Sequence, residues 1–377
     1  CQHPATRAAA NRVLAAESDI CSVRLWDDPT VGLGLMAARQ MMRRDDGDVI
    51  WSIEQTLPKR GLYQAILEKS GAQKRAEVEN ARSAQIDSGV EATTLAIELA
   101  LADAVMSLSS GELSWLREME TNALKLALDP ASTSIDAIRL GAEVRKAEQN
   151  LAAVGRNRSG LAQQLNLVMG KPLDHPWEKL RLPVSSPSVP IAASEVARIP
   201  FANPEVRALL EKANAAKAEI CIADRERLPA VSVGLDTALY SGGDWRSTTF
   251  GVKMSLPWRN RDSYQAKVDA TTSRSAAASE DVETLTRQIG EKVIEAVTEA
   301  ANASAQSRAY GGEIRQKAID ANKYLETSWI SSKASLTDLL ESRRLLFSVD
   351  LEQRRFVAMA LAAIERLNRL VPTHPPN

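Results

Sequence analysis

Val49–Arg60 reads Val-Ile-Trp-Ser-Ile-Glu-Gln-Thr-Leu-Pro-Lys-Arg, and about two hundred residues later Phe250–Arg259 reads Phe-Gly-Val-Lys-Met-Ser-Leu-Pro-Trp-Arg. In both stretches apolar and polar side chains alternate, which is the period of a strand with two different faces. In both, Leu-Pro-x-Arg then opens a very long segment without proline. Proline is tolerated at the first turn of a helix, so each copy predicts a strand that runs directly into a helix.

Upstream of each copy lies a partner strand. Val31, Leu33, Leu35 and Ala37 alternate with Gly32, Gly34, Met36 and Ala38, and the polar Arg43–Asp48 turn leads back into Val49, Trp51 and Ile53. In the second copy Val231, Val233, Leu235, Thr237 and Leu239 alternate with Ser232, Gly234, Asp236 and Ala238. After Ser241-Gly242-Gly243-Asp244, the strand carrying Phe250, Val252, Met254 and Leu256 returns. Glycine-bearing polar turns between alternating runs are hairpin signals. Two hairpins are therefore expected, 30–57 and 230–257, each with one apolar and one wet side. Glu54, Asp236 and Lys253 fall on the wet side.

Downstream, residues 60–128 are mostly good helix formers without proline. Such a helix would measure on the order of 100 Å. Asp129-Pro130-Ala131-Ser132 breaks it, and Thr133-Ser134-Ile135-Asp136 has the Ser/Thr-x-x-acid spacing that caps a new helix, 134–168. The second copy repeats this order with a helix over 258–328, a break at Ser331-Ser332, the cap Ser335-Leu336-Thr337-Asp338 and a helix over 336–371. Within it Ile289, Val293, Ala296, Ala300, Ala303, Ser307, Tyr310 and Ile314 are spaced alternately four and three, a coiled-coil seam whose small residues imply close helix approach. A helix precedes each hairpin, Pro4 to about Val23 and 204–227, the latter capped by Asn203. The chain thus divides into repeats 1–171 and 201–371, a proline-rich linker 172–200 and a tail 372–377. A duplicated unit at this offset is too large for a solenoid, so two copies build one object.

The bulk numbers narrow the function. With 47 basic and 48 acidic residues the net charge is −1, which gives no electrostatic reason to expect nucleic acid. The most apolar stretch, Leu95–Leu108, is interrupted by Glu98 and Asp103, so no single helix is expected to span a bilayer. A β-barrel stays open, because alternating strands keep hydropathy low. His3, His175 and His374 are scattered, and no metal cluster, phosphate loop or nucleophile–base pair is present. Neither an enzyme nor a cofactor is expected. Cys21 and Cys221 occupy matching places in the two halves; a disulfide is possible in an oxidising compartment, and buried free thiols are the favoured expectation.

Four amphipathic strands per chain do not make a barrel. Small membrane barrels need about eight, and open edges in lipid leave backbone groups unsatisfied. Oligomerisation is implied: two chains would give a plugged eight-stranded barrel, and three would give twelve strands with room for a lumen. In that setting Trp51, Tyr240, Trp245, Phe250 and Trp258 are candidates for interfacial girdles, and Glu54, Asp236 and Lys253 for lumen-facing charges.

The Asn203-Pro204-Glu205 helix start, the strand ends Leu57-Pro58 and Leu256-Pro257, and Ser335-Leu336-Thr337-Asp338-Leu339-Leu340, in this duplicated order, resemble the TolC-like outer-membrane efflux proteins over about Pro4 to Val371. The resemblance implies an α+β membrane fold: a homotrimeric twelve-stranded β-barrel in the outer membrane, continuous with a periplasmic α-helical barrel of long coiled-coil helices. It implies an exit duct of a tripartite efflux or type I secretion system, conducting solutes passively. The implied partners are a periplasmic adaptor (membrane fusion) protein, an inner-membrane pump of RND or ABC type and outer-membrane lipid. The helix–turn–helix tips would meet the adaptor through Asp129, Thr133, Ser134, Ile135 and Asp136 and through Ser335, Leu336, Thr337 and Asp338. Cys1 is a candidate lipidation site, although its place at the start of a helix favours simple cleavage or truncation. The reading from another class is a non-transporting coiled-coil structural or adaptor scaffold.

Overall fold

A computed structural model describes residues 3–37, 47–126, 135–183, 199–240, 245–331 and 333–371. In chain order the elements are helix α1 (Pro4–Ser22), strands β1 (Thr30–Ala37) and β2 (Gly47–Thr56), helices α2 (Leu62–Leu126) and α3 (Ile135–Met169), a single turn α4 (Ile199–Ala202) and helix α5 (Pro204–Glu226). Strands β3 (Val231–Tyr240) and β4 (Trp245–Met254) follow. A 3₁₀ turn (Pro257–Asn260), helix α6 (Arg261–Ala309), a π-helical turn (Tyr310–Ile314), α7 (Arg315–Ile330) and α8 (Leu336–Leu370) complete the chain. Cys1, Asp129, Thr133, Ser134, residues 184–198 of the linker and the 372–377 tail lie outside the described residues.

The described chain forms two compact units, and each draws on both halves of the sequence. One comprises Ala8–Arg82 and Pro204–Thr286; the other comprises Cys1–Arg7, Ser83–Asn203 and Arg287–Asn377.

The first unit holds a four-stranded antiparallel sheet in the order β1-β2-β3-β4. The two hairpins are joined by β2 and β3, with Val49 opposite Leu239 and Thr56 opposite Ser232. The ladder runs on past the strand ends through Leu57 N–H to the Val231 carbonyl and Ser255 N–H to the Ala230 carbonyl, both at 2.8 Å. Gly61 then turns the chain into α2 at φ 78°, with the Arg225 side chain packed over the place a Cβ would take. Small residues bury the helices of this unit: Ala65, Ala72 and Ala76 on α2, and Ala213, Ala218 and Ala223 on α5. Ion pairs tie them together, Lys69–Glu219 at 2.6 Å, Lys74–Glu17 at 2.8 Å and Arg75–Glu211 at 2.9 Å. Lysine stems and alanines replace large aliphatics, so the helices pack closely with little core between them. Cys21 and Cys221 are both free and exposed rather than buried. Cys21 sits in the last turn of α1, and Cys221 stands off the alanine stripe of α5.

In the second unit the coiled-coil seam is real but changes phase. Ile289, Val293, Ala296, Ala300, Ala303 and Ser307 are all buried, as their spacing predicts. The expected continuation fails: Tyr310 is half-buried and Ile314 exposed. The seam resumes one residue late, at Ala318, Asn322 and Trp329. The π turn explains the slip, because it inserts one residue into the helix, and Gly312 within it leaves helical geometry at φ −98°, ψ −116°. On α8 the bulge is met by Gln353, which lies against Gly311, and by Phe356, edge-to-face with Tyr310 at 5.2 Å.

Further along, Leu113, Leu116 and Met119 of α2, Leu140 and Val144 of α3, Trp329 of α7 and Leu336 and Leu339 of α8 form one buried cluster. Another set of contacts anchors residues 171–180, which carry no helix or strand. Asp103, 4% exposed, receives Arg158 Nε at 2.5 Å and the Leu180 N–H at 3.0 Å. Fully buried Asn166 donates to the carbonyls of Leu173 and His175 and accepts the Trp177 indole N–H at 2.6 Å. What reads as a linker is therefore strapped to α2 and α3 where it is described.

One helix, α2 over Leu62–Lys125, does contain an 18-residue window apolar enough to cross a membrane by length and composition, with mean hydropathy 1.4. This differs from the expectation, because two charges within such a window do not disqualify it. In that region Leu99 and Asp103 are buried against protein, which is the packing of a helix seam.

Two outcomes test this picture. Asp103→Ala removes the buried acceptor of the half-buried Arg158 guanidinium and of the Leu180 N–H, which should cost about 1–3 kcal/mol; a matching fall in thermal stability and new protease cleavage within 171–183 are expected. Deleting Gly312 should close the π turn and bring the seam into one phase, leaving the melting temperature unchanged or raised. Deleting Ala300 should throw all later seam residues out of phase and abolish cooperative melting by circular dichroism.

Candidate functional site

Strand pairing puts most of the apolar residues of the four strands on one side of the sheet, with Ile50 on the other, opposite Gly34 and Ala238. Opposed residues share a face, so Val31, Ile53, Leu235 and Phe250 form one row, and Leu33, Trp51, Thr237 and Thr248 form the next. Leu35, Val49, Leu239 and Trp245 form a third. Nothing in the chain covers this face among the described residues. Leu35 is 80% exposed, Phe250 70%, Val31 67% and Trp51 50%. The outer edges of β1 and β4 are likewise unpaired within the sheet.

Trp245 reaches this face through an irregularity that alternation does not reveal. Counting back by twos from Phe250, the apolar side would receive Arg246 and the wet side Trp245. A register shift at Ala238/Leu239 instead pairs Trp245 with Leu239, and its indole donates to Thr248 Oγ1 at 2.8 Å. A bulge that re-aims one side chain is a known use of an extra residue. The aromatic residues are spread along the strands. Trp51 is the fifth of ten residues in β2 and Phe250 the sixth of ten in β4, so both sit mid-strand. Trp245 stands at the hairpin end of β4 and Trp258 beyond its other end, 63% exposed. Tyr240 closes β3, and its side chain lies outside the description.

The opposite face is polar and glycine-rich. Asp236 lies opposite Ser52, Glu54 opposite Gly234, and Lys253 opposite Ser232, which brings all three expected charges to one side. Glu54 accepts the Ser232 hydroxyl at 2.6 Å through one oxygen and Lys253 Nζ at 2.5 Å through the other. The charges are thus not independent: Lys253 is held by Glu54.

The second set of expected site residues lies in the helical unit. Ser335 caps α8: its hydroxyl accepts the Asp338 N–H at 3.2 Å and donates to the Asp338 carboxylate at 2.6 Å. Thr337 and Asp338 are exposed, whereas Leu336 is turned into the core at 3% and cannot serve as a contact surface. Ile135 is exposed at 53% and Asp136 half-buried in the first turn of α3. Behind these helix ends run cross-links the spacing did not suggest. Arg343 donates to Glu112 at 2.7 Å and stacks on Trp115 at 4.6 Å, Arg344 donates to Glu143 at 2.6 Å, and Arg117 to Glu148 at 2.8 Å. Burial pushes the Glu112 carboxyl up from its ordinary range, Arg343 opposes this, and neighbouring Glu143 adds to it. Glu148 goes the other way, held low by hydrogen bonds from Arg117 and Arg145.

Residues 201–371 match the family model described as outer membrane efflux protein. The match covers the second half of the chain. Sequence comparison with curated proteins finds no match. Solved structures extend the likeness to nearly the whole chain. The outer-membrane protein VceC of Vibrio cholerae superposes with a TM-score of 0.82 at 14% identity over 98% of this chain and 93% of its own. CusC gives 0.85 at 15% identity over 98% and 89%. The open state of the MtrE outer-membrane channel of Neisseria gonorrhoeae gives 0.77 at 17% identity over 98% and 86%. The fold is that of the TolC-like channels, and the first half, beyond the family match, shares it.

The two carboxylates give opposite pH signs. Glu148, with a lowered folded pKa, stabilises above the ordinary carboxylate range, and that contribution is lost as pH falls through its folded value. Glu112, with a raised folded pKa, favours folding while protonated, and that contribution is lost as pH rises from about 4 toward its folded value. Thermal melts across this range should show Glu112→Gln flattening the decline on the rising side and Glu148→Gln flattening the acid limb.

Proposed function

We propose that this outer membrane efflux protein is the exit duct of a tripartite efflux or type I secretion system, conducting solutes passively from periplasm to exterior. Three chains each contribute the four strands to a twelve-stranded barrel in the outer membrane, and the helices stand in the periplasm. The observation that carries the reading is the sheet: apolar on one side, charged on the other, uncovered on both and open at both edges. An aqueous setting would leave a contiguous apolar surface in water, which soluble monomers avoid. Lipid outside, solvent inside and neighbouring copies at β1 and β4 satisfy all three demands together. Strands of 10 residues in β2, β3 and β4 suit a tilted span, for which about 9–11 are needed.

In this arrangement Glu54, Lys253 and Asp236 face the lumen, with the Glu54–Lys253 pair muting the local charge. Trp245 and Trp258 mark the two interfaces. Ile135, Asp136, Thr337 and Asp338 meet a periplasmic adaptor, which links the duct to an inner-membrane pump of RND or ABC type. The cargo is set by those partners.

Full-length protein should extract only with detergent, run as a trimer and form ion-permeable channels in planar bilayers; a water-soluble monomer without conductance would instead support the coiled-coil scaffold. Val233→Lys, on the lipid side of a central strand, should cost about 2–4 kcal/mol at the bilayer midplane and block membrane assembly. Ser232→Lys, one residue away on the lumen side, should assemble normally. Equal effects at both positions would contradict the face assignment.

A further inference from the structure

The junction of β4 with α6 carries a cleft with a different chemistry from the sheet above it. Arg227, Pro229, Pro257, Trp258, Arg261 and Tyr264 line an open space of about 440 Å³. Basic residues gather at the strand–helix junctions as a group. Pro58–Arg60, Asp224–Arg227 and Pro257–Asp262 contain six basic and three acidic residues. Two of the acids are paired: Asp224 contacts Arg227 at 2.7 Å in an exposed i,i+3 pair, weak enough for a phosphate to displace, and Glu226 is bound by Lys267. Arg261 has no ion pair among the described residues. Next to this positive cleft, Met254, Leu256 and Trp258 continue the exposed apolar face of the sheet at 55%, 53% and 63% exposure.

A cationic, aromatic-walled cleft that opens onto a lipid-compatible apolar run fits one ligand class. We propose that this cleft binds the phosphate of an anionic glycerophospholipid, with Arg261 and Arg227 on the phosphate, Trp258 and Tyr264 against the glycerol region, and the acyl chains along Met254 and Leu256. Planar guanidinium groups pair with phosphate oxygens two at a time, and tryptophan and tyrosine favour the headgroup level. The inference rests on the barrel reading, since without a bilayer at the sheet no acyl chain reaches the cleft. Its consequence is that specific lipids fix the height of the barrel in the membrane at the point where strand becomes helix.

Native mass spectrometry of the full chain in mild-detergent micelles doped with phosphatidylglycerol or phosphatidylcholine tests it. Wild type should retain phosphatidylglycerol in preference, and the double variant Arg227→Ala/Arg261→Ala should lose that retention by at least about tenfold. Arg227→Lys/Arg261→Lys, which keeps charge but not the planar fork, should fall between. Planar-bilayer conductance is measured on the same preparations. Normal conductance with unchanged lipid retention in the alanine variant overturns the site and leaves the barrel standing. Displacement of the lipid by millimolar inorganic phosphate assigns the cleft to a free anion and overturns the lipid. Failure of the wild type to insert and conduct overturns both readings.

Discussion

Backbone hydrogen bonding at the edges of the sheet constrains everything else. Strands β1 and β4 each present one side of their N–H and C=O groups to no partner in the sheet, and the sheet is too small to close on itself. An edge in water is a liability that proteins usually blunt with charge, proline or cover. Here β1 carries Thr-Val-Gly-Leu-Gly-Leu-Met-Ala, with no charge and no proline at all. Such an edge is written for pairing. Because β2 and β3 already join the two hairpins inside the chain, the free edges point outward from the duplicated pair, one from each half. A head-to-tail contact of β4 with the β1 of another copy is the pairing that repeats around a ring.

The alternation of the four strands made the sheet legible in the sequence, and the Leu-Pro junctions made its connection to the helices legible too. Glu54, Asp236 and Lys253 were assigned to one face by parity alone, and the register bears out that grouping. Parity fails where a residue is inserted. Trp245 changes sides because of a bulge that no local composition announces, and the helical seam slips one position because of the π turn at Tyr310–Ile314. The two irregularities act alike: periodicity is read by counting, and one extra residue leaves the pattern on either side intact while rotating its phase.

Other features were hidden because they depend on distant partners. The stretch after Lys171 has the prolines of a linker, yet Asn166 and Asp103 supply it with side-chain partners in place of a ladder. Asp103 reaches partners 55 and 77 positions away, which spacing cannot match, and Asn166, whose partners lie only 7 to 11 positions on, is not unusual in its own window. Leu336 shows the converse. Its motif drew attention as a surface element, but a cap at Ser335 directs the next residue into the helix interface, so the signal for the turn was also a signal for burial.

The two arms, although duplicated in order, are not mechanically equivalent. Helix α2 runs from Leu62 to Leu126 without interruption, while its counterpart is divided by the π turn between α6 and α7. Gly111 stands in the first arm where Gly311 and Gly312 stand in the second, and a lone glycine inside a helix weakens it without breaking its phase. A bulge with a non-helical residue costs hydrogen bonds, and its neighbours Gln353 and Phe356 on α8 are shaped around it. The second arm therefore has one local break in helical phase at Tyr310–Ile314, and the long helix of the first has none. If copies of this chain close a ring, helices with that break alternate with helices without it, so the duplicated halves do not present identical surfaces to their neighbours.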